Sequence, residues 1–140
     1  MLQGLFSVRA PYRRAARWAL AAWTLLLLAL CFLPGRDIPD IHVPLADKWV
    51  HFVLFGVFAF LWLCAFPSEK IRSLLLAFTA SVALGWLVEE LQGLLSFLGR
   101  SRSGKDILAD AIGGLLGVLF YYILSRRARR AREEKQPSTL

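Results

Sequence analysis

Four long apolar runs constrain the fold of this chain more than any other feature. They cover Trp18–Leu33, Trp49–Phe66, Ser73–Leu98 and Ile107–Leu124. Each is close to the ~20 residues that a helix needs to cross a bilayer core. In lipid, only helices and closed barrels satisfy their backbone hydrogen bonds, and these runs lack the alternation of polar and apolar residues found in barrel strands. The runs therefore predict an all-α integral membrane protein built as a four-helix bundle.

The composition agrees with a single membrane domain. Of the 140 residues, 57% are hydrophobic, and the mean hydropathy of +0.54 is too high for a soluble domain of this length. We expect a basic cytoplasmic or interfacial segment over residues 1–14 and a transmembrane domain over residues 15–125. Its helices are expected at about residues 15–33, 49–66, 73–98 and 106–124. A basic, disordered cytoplasmic tail is expected over residues 126–140.

The net charge of +7 is distributed in a way that indicates orientation rather than nucleic-acid binding. Twelve of the 17 basic residues lie before the first run, between the second and third, or after the fourth. These three segments share one side of the membrane, and by the positive-inside rule that side is the cytoplasm. Both termini are therefore predicted to be cytoplasmic. The partner that this charge pattern favours is the lipid bilayer, and no nucleic-acid partner is expected.

On this topology, the polar residues of the apolar runs gather toward the outer side. The second helix begins with Asp47 and Lys48, and His51 follows one turn later. The outward half of the third helix carries Glu89 and Gln92. The fourth helix begins near Asp106, with Asp110 one turn further in. Polar residues collected at one depth predict a site, whereas residues scattered over all depths would not.

Helical spacing divides these residues between faces. One face of the third helix carries Ser81, Gly85, Glu89, Gln92 and Ser96, and one face of the fourth carries Asp106, Asp110, Gly113, Gly117 and Tyr121. Glu90 lies about 100° around the helix from Glu89, so we expect it to have a local partner or to be protonated. Gly113 and Gly117 form a GxxxG pair, which favours close helix packing. We expect Glu89 to meet His51 across the bundle, with Asp110 and the Arg100 loop close by.

Burial of these carboxylates needs compensation. A charged side chain near the centre of a membrane helix costs about 2.5–3.5 kcal/mol on insertion scales, and such residues usually face a partner or a functional site. Facing inward to His51, Arg100, Arg102 or Lys105 would remove most of this cost, and so would protonation or a solvated, outward-facing cavity. The carboxylates are therefore predicted to point inward.

The segments "DKWVHFVLFG", "EELQ" and "GRSRSGKDILADAIGGLLG" resemble the VanZ-like family of small bacterial integral membrane proteins, over about residues 45–118. The positions matching the family pattern are Asp47, Lys48, His51, Glu89, Gln92, Arg100, Asp106 and Gly113. Asp110 departs from it, because the family often has Asn there. The resemblance implies a multi-pass cell-envelope protein of the bacterial cytoplasmic (inner) membrane. Through the family's name-giving member, it also implies a link to resistance against the glycopeptide teicoplanin.

The first hypothesis is an enzyme-like site that acts on a lipid-linked or anionic head-group ligand at the outer leaflet. His51 would be the general acid or base, with Glu89 as its catalytic partner. Arg100 and Arg102 would hold a phosphate or carboxylate, because a guanidinium binds these groups through two hydrogen bonds. The remaining binding residues would be Asp47, Lys48, Gln92, Asp106 and Asp110.

Two other hypotheses explain the same residues. The protein is a non-catalytic membrane accessory or binding protein whose polar network is structural, or it is a small proton-coupled carrier that works as an oligomer. A metal held by Asp47, His51, Glu89 and Asp110 is chemically reasonable. The sequence has no compact metal-ligand motif, so we expect no metal and no cofactor.

Overall fold

The computed structural model describes residues 10–33, 46–95, 97 and 102–134. Within these residues the chain forms four helices and no strand, and every helix is long and apolar enough to cross a membrane. They are α1 (Ala10–Cys31), α2 (Ala46–Ala65), α3 (Ile71–Leu94) and α4 (Gly104–Glu133). The predicted all-α class with four membrane-length helices is confirmed.

The two ends of the chain differ from the expected boundaries. α1 begins at Ala10, so residues 10–14 belong to a helix rather than to a lead segment. α4 continues to Glu133, and the prediction of a disordered tail is wrong for residues 126–133. That stretch contains only Arg, Ala and Glu, which are strong helix formers. Its basic last turn also interacts favourably with the negative end of the helix dipole. Residues 1–9 and 135–140 lie outside the described residues.

α4 is longer than a membrane requires. Its 30 residues correspond to about 45 Å of helix, whereas the hydrocarbon core is about 30 Å thick. The apolar part of α4 ends near Leu124, and five arginines follow it. Arg129 lies 3.9 Å from Glu69 in the connection between α2 and α3. The basic end of α4 therefore lies beside that connection, at the end of the bundle opposite the start of the helix.

The closest helix contact joins α2 and α4 through glycine. A Cβ atom built on Gly113 would collide with the main-chain carbonyl of Phe52, and one built on Gly117 would collide with that of Gly56. Only glycine allows the two backbones to approach so closely. The packing role predicted for the GxxxG pair is confirmed. This contact sets the position of α2 against α4, and so of the polar side chains that each helix carries.

The buried apolar residues form two clusters. The first joins α1, α2 and α3 and contains Leu27, Cys31, Leu54, Phe55, Phe58 and Val88. The second joins α2, α3 and α4 and contains Ala59, Leu63, Cys64, Ala77, Val118 and Tyr121. Both cysteines are buried, and neither forms a disulfide. Many other large apolar side chains are exposed, which suits a surface that contacts lipid.

α1 and α3 leave an apolar groove between them. The groove has a volume of about 830 Å³, and α2 forms its floor. Its lining includes Leu20, Leu25, Phe58, Trp62, Leu84 and Leu87. Arg17 lies at one end, where its guanidinium is 5.2 Å from the centre of the Phe66 ring. The groove is therefore apolar along its length, with one cation at the end where α1 begins.

Candidate functional site

Five polar side chains meet at one end of the bundle, where α2 and α4 begin and α3 ends. This polar cluster consists of Lys48, His51, Glu89, Asp106 and Asp110. Glu89 and Asp110 are completely buried, and His51 and Asp106 are nearly so. Of the predicted site residues, the structure therefore brings these five together at one end of the bundle. The side chain of Asp47 and all of Arg100 lie outside the described residues.

His51 and Asp110 form the buried centre of the cluster. The Nδ1 atom of His51 lies 3.0 Å from Oδ1 of Asp110. Gly85 on α3 makes room for this carboxylate, because a Cβ at residue 85 would collide with its side chain. Glycine at this position therefore allows α3 and α4 to enclose Asp110 between them. Glu89 lies near His51, as the sequence predicted, with one ligand atom of each within 4.8 Å, but the hydrogen bond of His51 goes to Asp110.

Glu89 joins the end of α3 to the start of α4. The backbone N–H of Ser103 donates to Oε2 of Glu89 at 2.6 Å. Ser103 is also the N-cap of α4, and its hydroxyl accepts a hydrogen bond from the N–H of Asp106 at 3.3 Å. Such a cap satisfies one of the free N–H groups at a helix start. Glu89 is therefore fixed through one carboxylate oxygen, while the other oxygen, Oε1, accepts no hydrogen bond from a described residue.

Lys48 lies beside Asp106 where the cluster approaches the surface. Its Nζ atom is 3.1 Å from Oδ1 of Asp106, and the two form an ion pair. The Lys48 side chain is 22% exposed, whereas that of Asp106 is 11% exposed. The cluster therefore changes from fully buried at Asp110 to partly accessible at Lys48.

Arg102 and Glu90 form a separate pair outside the cluster. A terminal guanidinium nitrogen of Arg102 lies 2.7 Å from Oε1 of Glu90. The Arg102 side chain is 56% exposed, so water screens this pair and its contribution to stability is small. The expectation that Glu90 finds a local partner agrees with this contact. Arg102, predicted to hold an anionic ligand, is here engaged with Glu90.

Gln92 lies on the predicted face of α3 but turns toward α1. Its side-chain amide donates to the carbonyl oxygen of Cys31 at 2.7 Å, which satisfies a free carbonyl at the end of α1. Two similar bonds tie other helices together. Trp23 donates to the carbonyl of Leu54 at 2.9 Å, and Ser81 donates to that of Phe55 at 3.4 Å. These bonds belong to the framework of the bundle, and Gln92 is a structural residue in this arrangement.

Two buried acceptor atoms in the cluster receive no hydrogen bond from the part of the chain that the structure describes. Oε1 of Glu89 and Oδ2 of Asp110 are buried, and no described residue donates a hydrogen bond to either. Buried carboxylate oxygens are normally satisfied, because an unpaired one loses its hydration without compensation. The cluster is therefore a hydrogen-bond network that is incomplete within the described residues.

Three residues of the cluster are close enough to share a cation. One ligand atom each from His51, Glu89 and Asp106 lie within 4.8 Å of one another. Imidazole and carboxylate groups are ligands for several divalent transition metals. The cluster therefore offers a mixed nitrogen and oxygen ligand set, in which Asp106 stands where the sequence suggested Asp110.

Two contributing residues, Ser103 and Gly85, were not among the predicted site residues. Ser103 is followed by an acidic residue three positions later, which is the pattern of a helix N-terminus. That signal was available in the sequence. Spacing placed Gly85 on the same face as Glu89, but it could not show that Asp110 lies opposite, because that depends on which helix packs there.

A family comparison adds to this geometry. A protein-family model described as VanZ/LLP1 matches residues 9–125. No curated protein and no solved structure gives a significant match. The matched region contains all four helices up to the basic end of α4, and it includes every residue of the polar cluster. The chain therefore belongs to the VanZ/LLP1 family.

Proposed function

We propose that this protein binds the head group of a lipid-linked cell-envelope precursor at the polar cluster, on the outer side of the bacterial cytoplasmic membrane. Its family and its membrane-length helices support a membrane protein of this type. The proposal adds the ligand, the site and the side of the membrane. It also keeps the expected link to teicoplanin resistance, since that glycopeptide acts on the cell envelope.

The charge distribution supports the outward orientation of the cluster. The cluster lies at the end of the bundle where α4 begins, and the arginine-rich end of α4 lies at the opposite end. Basic segments remain preferentially in the cytoplasm. The start of α4 would then face the outside of the cell, where lipid-linked envelope precursors are used.

One observation carries the proposal, namely two buried carboxylate oxygens to which no described residue donates a hydrogen bond. Glu89 Oε1 and Asp110 Oδ2 would each lose hydration without compensation if the cluster served only to hold the helices together. The framework bonds of Gln92, Trp23 and Ser81 already join α1, α2 and α3 without using either oxygen. Free acceptors beside a satisfied framework favour a ligand site over a purely structural network.

The apolar groove supports a ligand that carries a lipid chain. The groove follows α1 and α3 as far as Leu87, which is two residues before Glu89. Two residues of helix rise correspond to about 3 Å. A hydrocarbon chain lying in this groove would bring an attached head group to the level of the cluster.

Acid–base catalysis is a second candidate function, and the contact between His51 and Asp110 favours it. A carboxylate that accepts from Nδ1 orients the imidazole and leaves Nε2 to exchange a proton. In this arrangement Asp110 takes the partner role that the sequence assigned to Glu89. Glu89 would then contact the ligand instead.

The test compares two neighbouring glutamates in the living cell. Glu89→Gln removes charge from the cluster, whereas Glu90→Gln makes the same chemical change at the surface pair. We expect Glu89→Gln to reproduce the envelope-precursor profile and teicoplanin susceptibility of a deletion strain, and Glu90→Gln to match the wild type. Mass spectrometry of lipid-linked precursors gives the profile, and immunoblots of membranes give the protein level.

Two results would contradict the proposal. A wild-type precursor profile in cells with Glu89→Gln would show that the cluster binds no such ligand. If Glu89→Gln protein fails to accumulate while Glu90→Gln protein accumulates normally, the carboxylate is needed for folding and the structural hypothesis is favoured.

A further inference from the structure

The polar cluster has the composition and geometry of a cation site. His51, Glu89 and Asp106 come from three different helices, and one ligand atom of each lies within 4.8 Å of the others. Around a tetrahedral ion with bonds of about 2.0–2.1 Å, neighbouring ligand atoms are about 3.4 Å apart. Small side-chain rotations would therefore bring the three atoms to bonding distance, without movement of the helices.

Glu89 supplies an independent sign of a ligand. Its side chain is 0% exposed, and its Oε1 atom has no hydrogen-bond partner among the described residues. Its other oxygen is held by the N–H of Ser103 at 2.6 Å. One oxygen is therefore anchored to the protein while the other, deeply buried, is available to a ligand.

His51 is oriented as a metal ligand usually is. Its Nδ1 atom lies 3.0 Å from Oδ1 of Asp110, and an ionised Asp110 requires the ring proton on Nδ1, which leaves the lone pair on Nε2. Metal-binding histidines commonly donate their other ring N–H to a carboxylate, which fixes the ring and increases its basicity. Gly85 allows Asp110 to occupy that position. Asp110 is thus a positioning residue behind the ligand.

The charges of the cluster also favour a divalent ion. Three carboxylates, those of Glu89, Asp106 and Asp110, are opposed by the single ammonium group of Lys48. With all three ionised and His51 neutral, the described side chains leave two uncompensated negative charges. Buried net charge within a membrane is strongly unfavourable. One divalent cation cancels it.

We propose that the polar cluster binds one divalent transition-metal ion of the Zn²⁺ or Mn²⁺ type through His51, Glu89 and Asp106. The inference rests on the proposed function, because both take the cluster to be a ligand site. Three protein ligands leave at least one coordination position open. That position accepts an anionic oxygen, such as a phosphate or carboxylate of the head group. The ion therefore explains how an acidic cluster binds an acidic ligand.

Metal binding and direct catalysis by His51 exclude each other. The ion uses the Nε2 lone pair that acid–base catalysis by the imidazole would require. Lys48 lies 3.1 Å from Asp106, and on binding of the ion its flexible, partly exposed side chain turns toward the surface. Repulsion between two cations drives that movement.

The first experiment measures metal binding by the full chain purified in detergent. The protein is freed of metal with a chelator, incubated with Zn²⁺ or Mn²⁺ in separate samples, and separated from unbound ion by gel filtration. We expect wild-type protein and Glu90→Gln to retain one ion per chain and Glu89→Gln to retain none. Asp110→Asn should weaken the affinity by about 10–100-fold, as expected for a group behind the ligand. Equal retention by Glu89→Gln and Glu90→Gln, or no retention of either ion by wild-type protein, would overturn the proposal.

The second experiment needs no variant and so does not depend on any variant folding. X-ray absorption of the wild-type protein loaded with Zn²⁺ should show one imidazole, only nitrogen and oxygen neighbours at about 2.0–2.1 Å, and no sulfur. A sulfur neighbour would assign the ion to Cys31 or Cys64, and the absence of imidazole would exclude His51. Either result rejects the site.

The two proposals fail in different ways. If wild-type protein binds no metal but Glu89→Gln still alters the precursor profile, the head-group function stands and the metal is rejected. If metal binds as described but the precursor profile never changes, the metal site stands and the proposed ligand is rejected.

Discussion

Gly113→Ala tests the helix contact that holds the polar cluster together. A methyl group at residue 113 would lie against the main chain of Phe52, 2.9 Å from its carbonyl carbon and 3.1 Å from its Cα, and closer still to the carbonyl oxygen. Favourable contact between carbon atoms requires about 3.5–4.0 Å, so α2 and α4 must separate by roughly 1 Å. Neither backbone can rotate away as a side chain would.

The expected change in the free energy of unfolding follows from two opposing effects. Overpacking a well-packed interior costs about 1–3 kcal/mol. Alanine in a helix interior gains up to about 1 kcal/mol over glycine. Because the added methyl group meets rigid backbone, we expect the upper end of the overpacking range, so Gly113→Ala should lower the free energy of unfolding by about 2 kcal/mol. Gly104→Ala is the matched control on the same helix, because no atom lies within 4 Å of the Cβ that it adds.

The assay is reversible unfolding in mixed micelles, with the mole fraction of SDS increased and helix content followed by circular dichroism. Gly113→Ala should unfold at a lower SDS fraction than the wild type, whereas Gly104→Ala should unfold at the same fraction or a slightly higher one. The reasoning is refuted if Gly113→Ala has the wild-type midpoint. It is equally refuted if Gly104→Ala loses as much stability.

Three further predictions concern the surroundings of the cluster. Ser103→Ala removes the side-chain cap of α4 and should destabilise the protein by about 1 kcal/mol in the same unfolding assay. An unchanged midpoint would argue against the cap. Arg102→Gln should change the stability by less than about 0.5 kcal/mol, because the ion pair that it breaks is solvated, and a larger loss would mean that the pair is buried in the membrane protein. A cysteine introduced as Arg102→Cys should react with an impermeant maleimide in intact cells, whereas Glu134→Cys should react only after permeabilisation. The reverse labelling pattern would show that the protein has the opposite orientation in the membrane.

Hydropathy was sufficient to predict where the helices lie, because burial in lipid requires long apolar runs whatever their partners are. Helical spacing was sufficient to predict which faces are buried. Ser81, Gly85, Glu89 and Gln92 on α3 are all buried, as the shared face implied. The face of α4 from Asp106 to Tyr121 is buried in the same way. These predictions depend only on properties of a single helix.

The pairing between helices could not be predicted in the same way. Whether His51 meets Glu89 or Asp110 depends on the rotation of α2 and α4 about their axes, which the glycine contact at Gly113 sets. Spacing along one helix carries no information about that rotation. The length of α4 was missed for a different reason. The apolar run of the sequence ends where contact with lipid ends, whereas the arginine-rich segment that follows it still has a high helix propensity.

The central claim is that Glu89 belongs to a ligand site and Glu90 does not. Native mass spectrometry of the full chain, extracted from membranes in a mild detergent, tests it most directly. The wild type and Glu90→Gln should each carry an added mass that matches a lipid-linked precursor, and Glu89→Gln should lack it while remaining folded. An identical bound mass on Glu89→Gln and Glu90→Gln, or none on the wild type, would contradict the account.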